Sequence, residues 1–551
     1  MLRQMQNPFA IALTVVFIVA LPRPSRAQDA IRPEALRKRL FALAADSMMG
    51  RDPGTRASVQ ATDYVAAEFK RLGLKPMGEG DSFFQTVPLG RVAPDKDGWL
   101  SVGNRRLVLA TEFLPLGRVL VSRDLRAVPV IYGGLLNDQT TWITAEQARG
   151  RVVVLGLAEG ARPFGSGAAQ AYPGFHDAIA VAPAILDRWP AATLAQVRRG
   201  GVSVGAPAAD TTGGPVLLIV STSAAELLLG QPLTGRRPGE AGGEVSGHVG
   251  LQYQPFTLPA RNVIAVLPGR DPKLRAQYVS ITAHNDHVGL LDAPVDHDSI
   301  RAYNRVVRPM GADSPERPAT AEEATRIGVI RDSLRAIRPP RADSVLNGAD
   351  DDGTGTVALL EIAGALSRLK ERPRRSILFV SHTAEELGLL GSRWFTDHLT
   401  VSRDSIVGEI DMDMIGRGDA DDLPAGGLGY LEVIGSRRLS TEFGDTLEAV
   451  NRRQPQPFSF NYEYDAPGHP LQYYCRADHY SYARYGIPAT ALSRGEHLDY
   501  HQVTDEPQYI DYDALARVAR MVRDAAMAIG NMSHRPALNG PKGDPTARCV
   551  Q

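Results

Sequence analysis

From about Asn262 onward the chain alternates short apolar, β-rich runs with helix-period stretches, and this alternation constrains the fold more than any other feature. Runs at 262–267 and 278–283 precede a helix-period stretch through Val357, Leu359, Leu360, Ile362, Ala363, Leu366 and Leu369. Further runs at 376–381, 406–410 and 486–492 follow, and a final helix is expected over 513–529. Runs that are apolar throughout are strands buried on both faces, so the pattern predicts an α/β fold with a mostly parallel, mixed sheet flanked by helices. In such sheets ligands bind beyond the carboxyl ends of the strands. The polar residues at those ends are therefore the place to look for chemistry.

His284 and Asp286 follow the 278–283 run, Glu385 and Glu386 the 376–381 run, Asp413 the 406–410 run, and His501 lies beyond the 486–492 run. The stretch 347–355 adds the consecutive aspartates Asp350, Asp351 and Asp352 at a helix start, where peptide amides favour negative charge. Alone they would be an acidic cap. Set beside the strand ends, they bring a further carboxylate to the same sheet edge. Two zinc-like ions that share one carboxylate, each with one His and one further carboxylate, need five side chains, and these segments supply them. Such a pair lowers the pKa of a bound water toward about 7 and polarises a carbonyl. A free carboxylate is still needed as general base. Glu385 and Glu386 suit that division, because adjacent side chains point differently, and Asp286 is placed to take the second N–H of His284. Tyr473, Tyr474 and Tyr480 are candidates to line a substrate pocket.

The ordered motifs at 283–289, 348–355, 383–392, 413–416 and 500–505 resemble those of the M28 family of co-catalytic zinc peptidases. The likeness covers roughly 257–530 and reaches back to 31–89. It implies two zinc ions per chain, with His284 and Asp413 on one, Glu386 and His501 on the other, Asp351 as the bridge and Glu385 as general base. The middle aspartate matches the bridging position, which leaves Asp350 and Asp352 to cap or support. Asp286 joins Glu385 in the catalytic set, and Asp478 matches a position that orients the site. The implied activity is hydrolysis of peptide substrates, foremost by an aminopeptidase, and carboxylate-rich sites also accept other divalent ions. The same scaffold serves carboxypeptidases for acidic residues, which need an arginine cluster for which Arg476, Arg484 and Arg494 are candidates. It also serves glutaminyl cyclases with a single zinc, and receptor-like proteins that bind without catalysis.

Residues 1–27 carry Arg3, an apolar run from Phe9 to Leu21, and Ser25-Arg26-Ala27, the pattern of a secretory signal cleaved after Ala27. The protein is therefore expected to be exported, to the periplasm or beyond the cell, with no stable membrane insertion. Export would permit a bond between Cys475 and Cys549. With 61 basic and 62 acidic side chains, nothing points to nucleic acid. Residues 28–112 are read as the N-terminal part of the catalytic domain, 113–256 as an inserted β-rich module resembling a protease-associated (PA) domain, 257–530 as the catalytic domain and 531–551 as a tail. Arg51 is read as a turn or surface arginine. His287, His382, His479 and His497 are assigned structural or hydrogen-bonding roles, since the two-metal set is complete without them. The segment 291–346 is longer than is usual in the family. It is expected to form a lid or rim with a helix over 321–337, and its Asp296-His297-Asp298 cluster is a candidate third metal site, the alternative being a solvated turn.

Overall fold

The computed structural model describes residues 31–117, 119–161, 174–210, 213–418 and 429–551; the expected secretory signal at 1–27 lies outside them. The alternating runs form a sheet whose centre is four parallel strands in the order Ser376–His382, Tyr278–His284, Ile406–Met412, Ala489–Ser493. Ala260–Leu267 flanks this block antiparallel on one side and Tyr430–Ile434 on the other. All four parallel strands point the same way, so their carboxyl ends lie along one sheet edge, as the mixed parallel expectation requires.

The central strands are buried along their length because both faces are covered. Ile377 and Phe379 pack into one layer, with Leu36 and Leu40 of helix Pro33–Leu43, Val65 and Phe69 of helix Arg56–Arg71, and helices Gly355–Ser367 and Tyr512–Asn531. Leu378 and Val380 face the opposite layer, built from Phe395, Tyr480 and Tyr482. Adjacent residues of one strand thus serve two cores, which is the period-2 rule of an extended chain.

A second sheet holds the β-rich module, and it begins earlier than expected. Leu89–Pro94 pairs with Gly201–Val204 and Ala241–Pro255, and Trp99–Val102 also joins Ala241–Pro255. Residues 89–107 therefore belong to this sheet, whereas Phe84–Val87 pairs with Ala260–Leu267 of the first sheet. Only Pro88 separates the two strands, so the chain passes between sheets within one extended run and no turn signal marks the boundary.

The 291–346 segment is folded onto the catalytic part. Helix Ala321–Arg335 starts at a Thr320–Glu323 capping box, and the sequence also forms helix His297–Val307, capped by Asp296, and a hairpin of Leu290–Asp296 with Ala342–Val345. The Asp296-His297-Asp298 cluster is not a metal site. Asp296 accepts from the Ser299 N–H and pairs with Arg335, His297 Nε2 lies 2.8 Å from Glu506 Oε2, and Asp298 pairs with Arg338. Asp296 turns to the helix cap and Arg335, whereas His297 and Asp298 stay 3.8 Å apart with Arg338 between them. Among the described residues no helix is long and apolar enough to cross a membrane.

Beyond the last helix the tail returns to the sheet edge, where Cys549 bonds to Cys475 and Gln551 Nε2 donates to the Tyr464 carbonyl. The bond closes a separation of 74 residues. Loop-closure entropy then predicts that Cys549→Ser destabilises the protein by up to about 4 kcal/mol. Denaturant unfolding of oxidised wild type and variant measures this, and coincident transitions would contradict it.

Candidate metal centre

The acidic stretch forms a wide turn over Ala349–Thr354 in which Asp351 (φ −101, ψ 104) and Asp352 leave helical geometry before helix Gly355–Ser367 begins. The turn is possible because of Gly348, which holds φ +56 and whose added Cβ would lie 2.3 Å from the Asp351 carbonyl and 2.4 Å from His287 Cγ. Backbone amides then separate the three carboxylates by role. Asp350 accepts from the N–H groups of Gly416 and Arg417, and Asp352 from those of Gly355 and His284. Asp351 accepts from no peptide N–H, while its own N–H donates to Asp505. Two of the aspartates therefore fasten the turn to neighbouring strand ends, and the middle one is left available.

Arg51 lies beneath this turn and is neither a surface group nor a substrate contact. Its side chain is fully buried and donates to the carbonyls of Leu43, Asn285, Asn347 and Gly348, at 3.3, 3.0, 2.6 and 2.7 Å. One planar fork thus joins the loop after His284 to the approach of the acidic turn.

Around Asp351 the strand ends bring together every expected metal ligand. Asp351 Oδ1 lies 3.1 Å from His284 Nε2, which lies 3.6 Å from Asp413 Oδ1. Asp351 Oδ2 lies 3.0 Å from His501 Nε2, which lies 2.9 Å from Glu386 Oε2. The two oxygens of one carboxylate thus face two different His and carboxylate pairs. Asp352 also falls within ligand reach of His284 and Asp413. Its oxygens are taken by peptide N–H groups, so Asp351 is the better donor to that side. His287 is the residue the sequence left out: it is fully buried, with Nδ1 2.7 Å from Glu386 Oε1, and falls in one group with Asp351, Glu386 and His501. Its position directly after Asp286 in the strand-end motif was the available signal.

The chemistry of these donors fits divalent cations. His284 Nε2, His501 Nε2, Glu386 Oε1 and Asp413 Oδ1 are buried without hydrogen-bond partners despite their mutual closeness. Imidazole nitrogens and carboxylate oxygens aimed at shared space would otherwise leave costly unpaired charge in the interior. Ala384, Met414 and His501 hold left-handed backbone at φ 57, 55 and 54, each at a cost of about 1–3 kcal/mol, and so turn the strand ends toward this space.

Glu385 Oε2 lies 3.9 Å from His284 Nε2, at the wall of a cavity of 380 Å³. Burial, with Glu386 and Asp413 beside it, pushes its carboxyl well above the usual range. Asp286 differs from expectation. His284 Nδ1 meets the Asp286 carbonyl at 3.3 Å, whereas the Asp286 carboxylate, 3.8 Å from that nitrogen, accepts the Glu385 N–H. Its side chain therefore positions the Glu385 peptide rather than the imidazole, because the backbone reaches the ring first. Asp478 is buried and does not line the cavity, and neither of its oxygens has a hydrogen-bond partner. Burial, then the charge of Asp411, pushes its carboxyl well above the usual range.

Tyr473 lines the cavity, stacked on Tyr464 at 3.8 Å, together with Leu389, Met414 and Ile434. Tyr474 and Tyr480 do not line it. Of the three arginine candidates only Arg476 does. Arg484 pairs with Asp397, and Arg494 is buried against the Gly418 carbonyl and the Tyr430 ring. His382 meets the Tyr482 hydroxyl and His497 the Asp350 carboxylate, as hydrogen-bonding roles predict.

Residues 262–526 match the family described as Peptidase family M28. Leucine aminopeptidase 1 of Paracoccidioides brasiliensis (strain Pb18) is 30% identical over 215 residues, 37% of this chain and 51% of that protein. The chain thus spans about half the length of that curated relative. Among solved structures, an aminopeptidase from Aneurinibacillus sp. strain AM-1 is similar with a TM-score of 0.47 and 16% identity, over 93% of this chain and 97% of that one. A zinc aminopeptidase from Bacillus subtilis is similar with a TM-score of 0.46 and 16% identity over the same shares, 93% and 97%.

The buried fork of Arg51 generates a stability prediction. Arg51→Met removes a donor from four buried carbonyls, of which that of Gly348 keeps the Gly353 N–H, and should destabilise the protein by about 3 kcal/mol or more. Arg51→Lys, with a point charge in place of the planar fork, should recover only part of that loss. Thermal unfolding of the three proteins measures it, and a Met variant as stable as wild type would contradict the role.

Proposed function

We propose that the chain is a two-zinc M28 aminopeptidase acting on peptides outside the cytoplasm. The observation that carries this reading is the position of Asp351, one carboxylate facing His284 with Asp413 through one oxygen and His501 with Glu386 through the other. On this reading Asp351 would be shared between two ions, which His284 with Asp413 would hold on one side and Glu386 with His501 on the other, with His287 directed at Glu386. Zinc ions held there would polarise the scissile carbonyl and lower the pKa of a water toward about 7. Glu385 is the general base: its carboxylate takes the proton of the attacking water and returns it to the leaving amine. Asp286 fixes the peptide that carries Glu385 through the Glu385 N–H.

Removal of an N-terminal residue is favoured over the alternatives by the charge around the cavity. Of the three arginines considered for binding acidic C-terminal residues only Arg476 lines the cavity, since Arg484 and Arg494 are engaged elsewhere. The curated relative named a leucine aminopeptidase supports the same choice. The Cys475–Cys549 bond supports an oxidising, exported location.

Glu385→Gln keeps the size of the side chain but removes the base. Turnover of aminoacyl anilides should fall about 10²- to 10⁴-fold while zinc content per chain is unchanged. Near-wild-type turnover by a folded, zinc-loaded variant would remove Glu385 from the mechanism.

A further inference from the structure

The 291–346 segment does more than form a rim, because one of its carboxylates reaches the wall of the substrate cavity. Arg476 lines that cavity beside the metal centre, with its guanidinium carbon 5.5 Å from the Tyr473 ring centre. An arginine there would ordinarily receive a substrate carboxylate. Instead, Arg476 Nη1 donates to Asp313 Oδ2 at 2.5 Å and Nη2 donates to the Tyr500 hydroxyl at 3.1 Å. Glu496, itself buried and lining the cavity, brings a second carboxyl to 3.8 Å from Nη1.

Asp313 is held in place by its own segment. The neighbouring Ala312 N–H donates to the Tyr500 carbonyl, and Asn304 Nδ2 donates to the Leu498 carbonyl, so the segment is docked on the loop that carries His501. Burial would raise the Asp313 carboxyl, but its contacts with Glu496 and Arg476 hold it below the usual range, so it stays ionised opposite the guanidinium.

We propose that Asp313 is a specificity-determining residue: by occupying Arg476 it withdraws that arginine from acidic side chains and favours uncharged or basic N-terminal residues. This rests on the aminopeptidase reading above. The electrostatic logic is a balance of three groups. With Asp313 in place, Arg476 is neutralised and a second carboxyl stands beside it, so a glutamyl side chain against that wall would be desolvated without a free cation, and Arg393, exposed on the same cavity, is the other arginine there. Without the Asp313 charge, Arg476 turns from a satisfied wall group into an unpaired cation facing the cavity. The preference for acidic residues should then rise.

The test compares kcat/KM for leucyl, glutamyl and lysyl p-nitroanilides on the zinc-loaded, full-length protein, with binding of free L-leucine and L-glutamate followed in parallel by calorimetry. Asp313→Asn should raise the glutamyl-to-leucyl ratio by about tenfold or more, chiefly through KM. The double variant Asp313→Asn/Arg476→Gln should return the ratio toward wild type. Arg476→Gln alone leaves Asp313 and Glu496 unopposed and should raise the lysyl-to-leucyl ratio, which decides the matter if Asp313→Asn does not fold. Ratios that move less than twofold in folded variants overturn the proposal. If wild type cleaves none of the anilides, the aminopeptidase reading fails and calorimetry decides the charge role: tighter L-glutamate binding by Asp313→Asn upholds it, and unchanged binding overturns it.

Discussion

The structure depends on one carboxylate, Asp351, that is kept from the hydrogen bonds its neighbours make. Three aspartates in sequence would ordinarily scatter into solvent as a helix cap, since unpaired buried carboxylates cost several kcal/mol each. Here Asp350 and Asp352 take four peptide N–H groups, three from two other segments and one from the helix that follows the turn, and Asp505 accepts from the turn itself. These bonds join the acidic turn to the ends of the Tyr278–His284 and Ile406–Met412 strands and to the His501 loop. Arg51 adds a fourth attachment from the N-terminal segment. The middle carboxylate, which accepts from no peptide N–H, is then fixed between two histidines.

The sheet makes this possible by delivering donors from separate parts of the chain to one edge. The four central parallel strands all end there, and left-handed residues just past three of the crossings redirect the backbone toward the common space. Beneath the site, the Thr282 hydroxyl lies 2.5 Å from Glu409 Oε1 and 2.7 Å from Asp411 Oδ1. A hydroxyl has one proton, so one of these carboxyls must itself be protonated, and burial, with the charge of Asp411 beside it, accordingly pushes Glu409 well above the usual range. Negative charge is thus limited below the metal centre and concentrated at it. Around the rim, the 291–346 segment and the disulfide-tethered tail secure the two walls of the cavity, the first through the His501 loop and the second through Cys475 and the Tyr464 carbonyl.

Much of this was legible in the sequence because it follows from period and position. Continuous apolar runs identified strands buried on both faces, and the rule that sites lie past parallel strand ends singled out His284, Glu385, Glu386, Asp413 and His501 before any geometry was known. The misreadings share a cause: they concern partners distant in sequence. Arg51 reads as a turn residue because nothing local reveals that carbonyls some 234 to 297 positions away will surround it. Asp286 was expected to hold the His284 ring, but whether a residue's carbonyl or its carboxylate gets there first depends on the turn. The Asp296-His297-Asp298 cluster resembles a ligand set in one dimension and splits in two once a helix starts there. The module boundary at Leu89 was hidden because an extended chain can leave one sheet and enter another without a turn. His287 was set aside because the ligand count closed without it.

The central claim is that Asp351 is shared by two metal ions, and metal stoichiometry tests it most directly. Apo protein reloaded with excess zinc, desalted and measured by mass spectrometry of the metal should carry two ions per chain. Asp351→Asn, which removes the charge but keeps the shape, should carry one or none while remaining folded. Two tightly held ions in the Asn variant, with activity retained, would contradict the account at its centre.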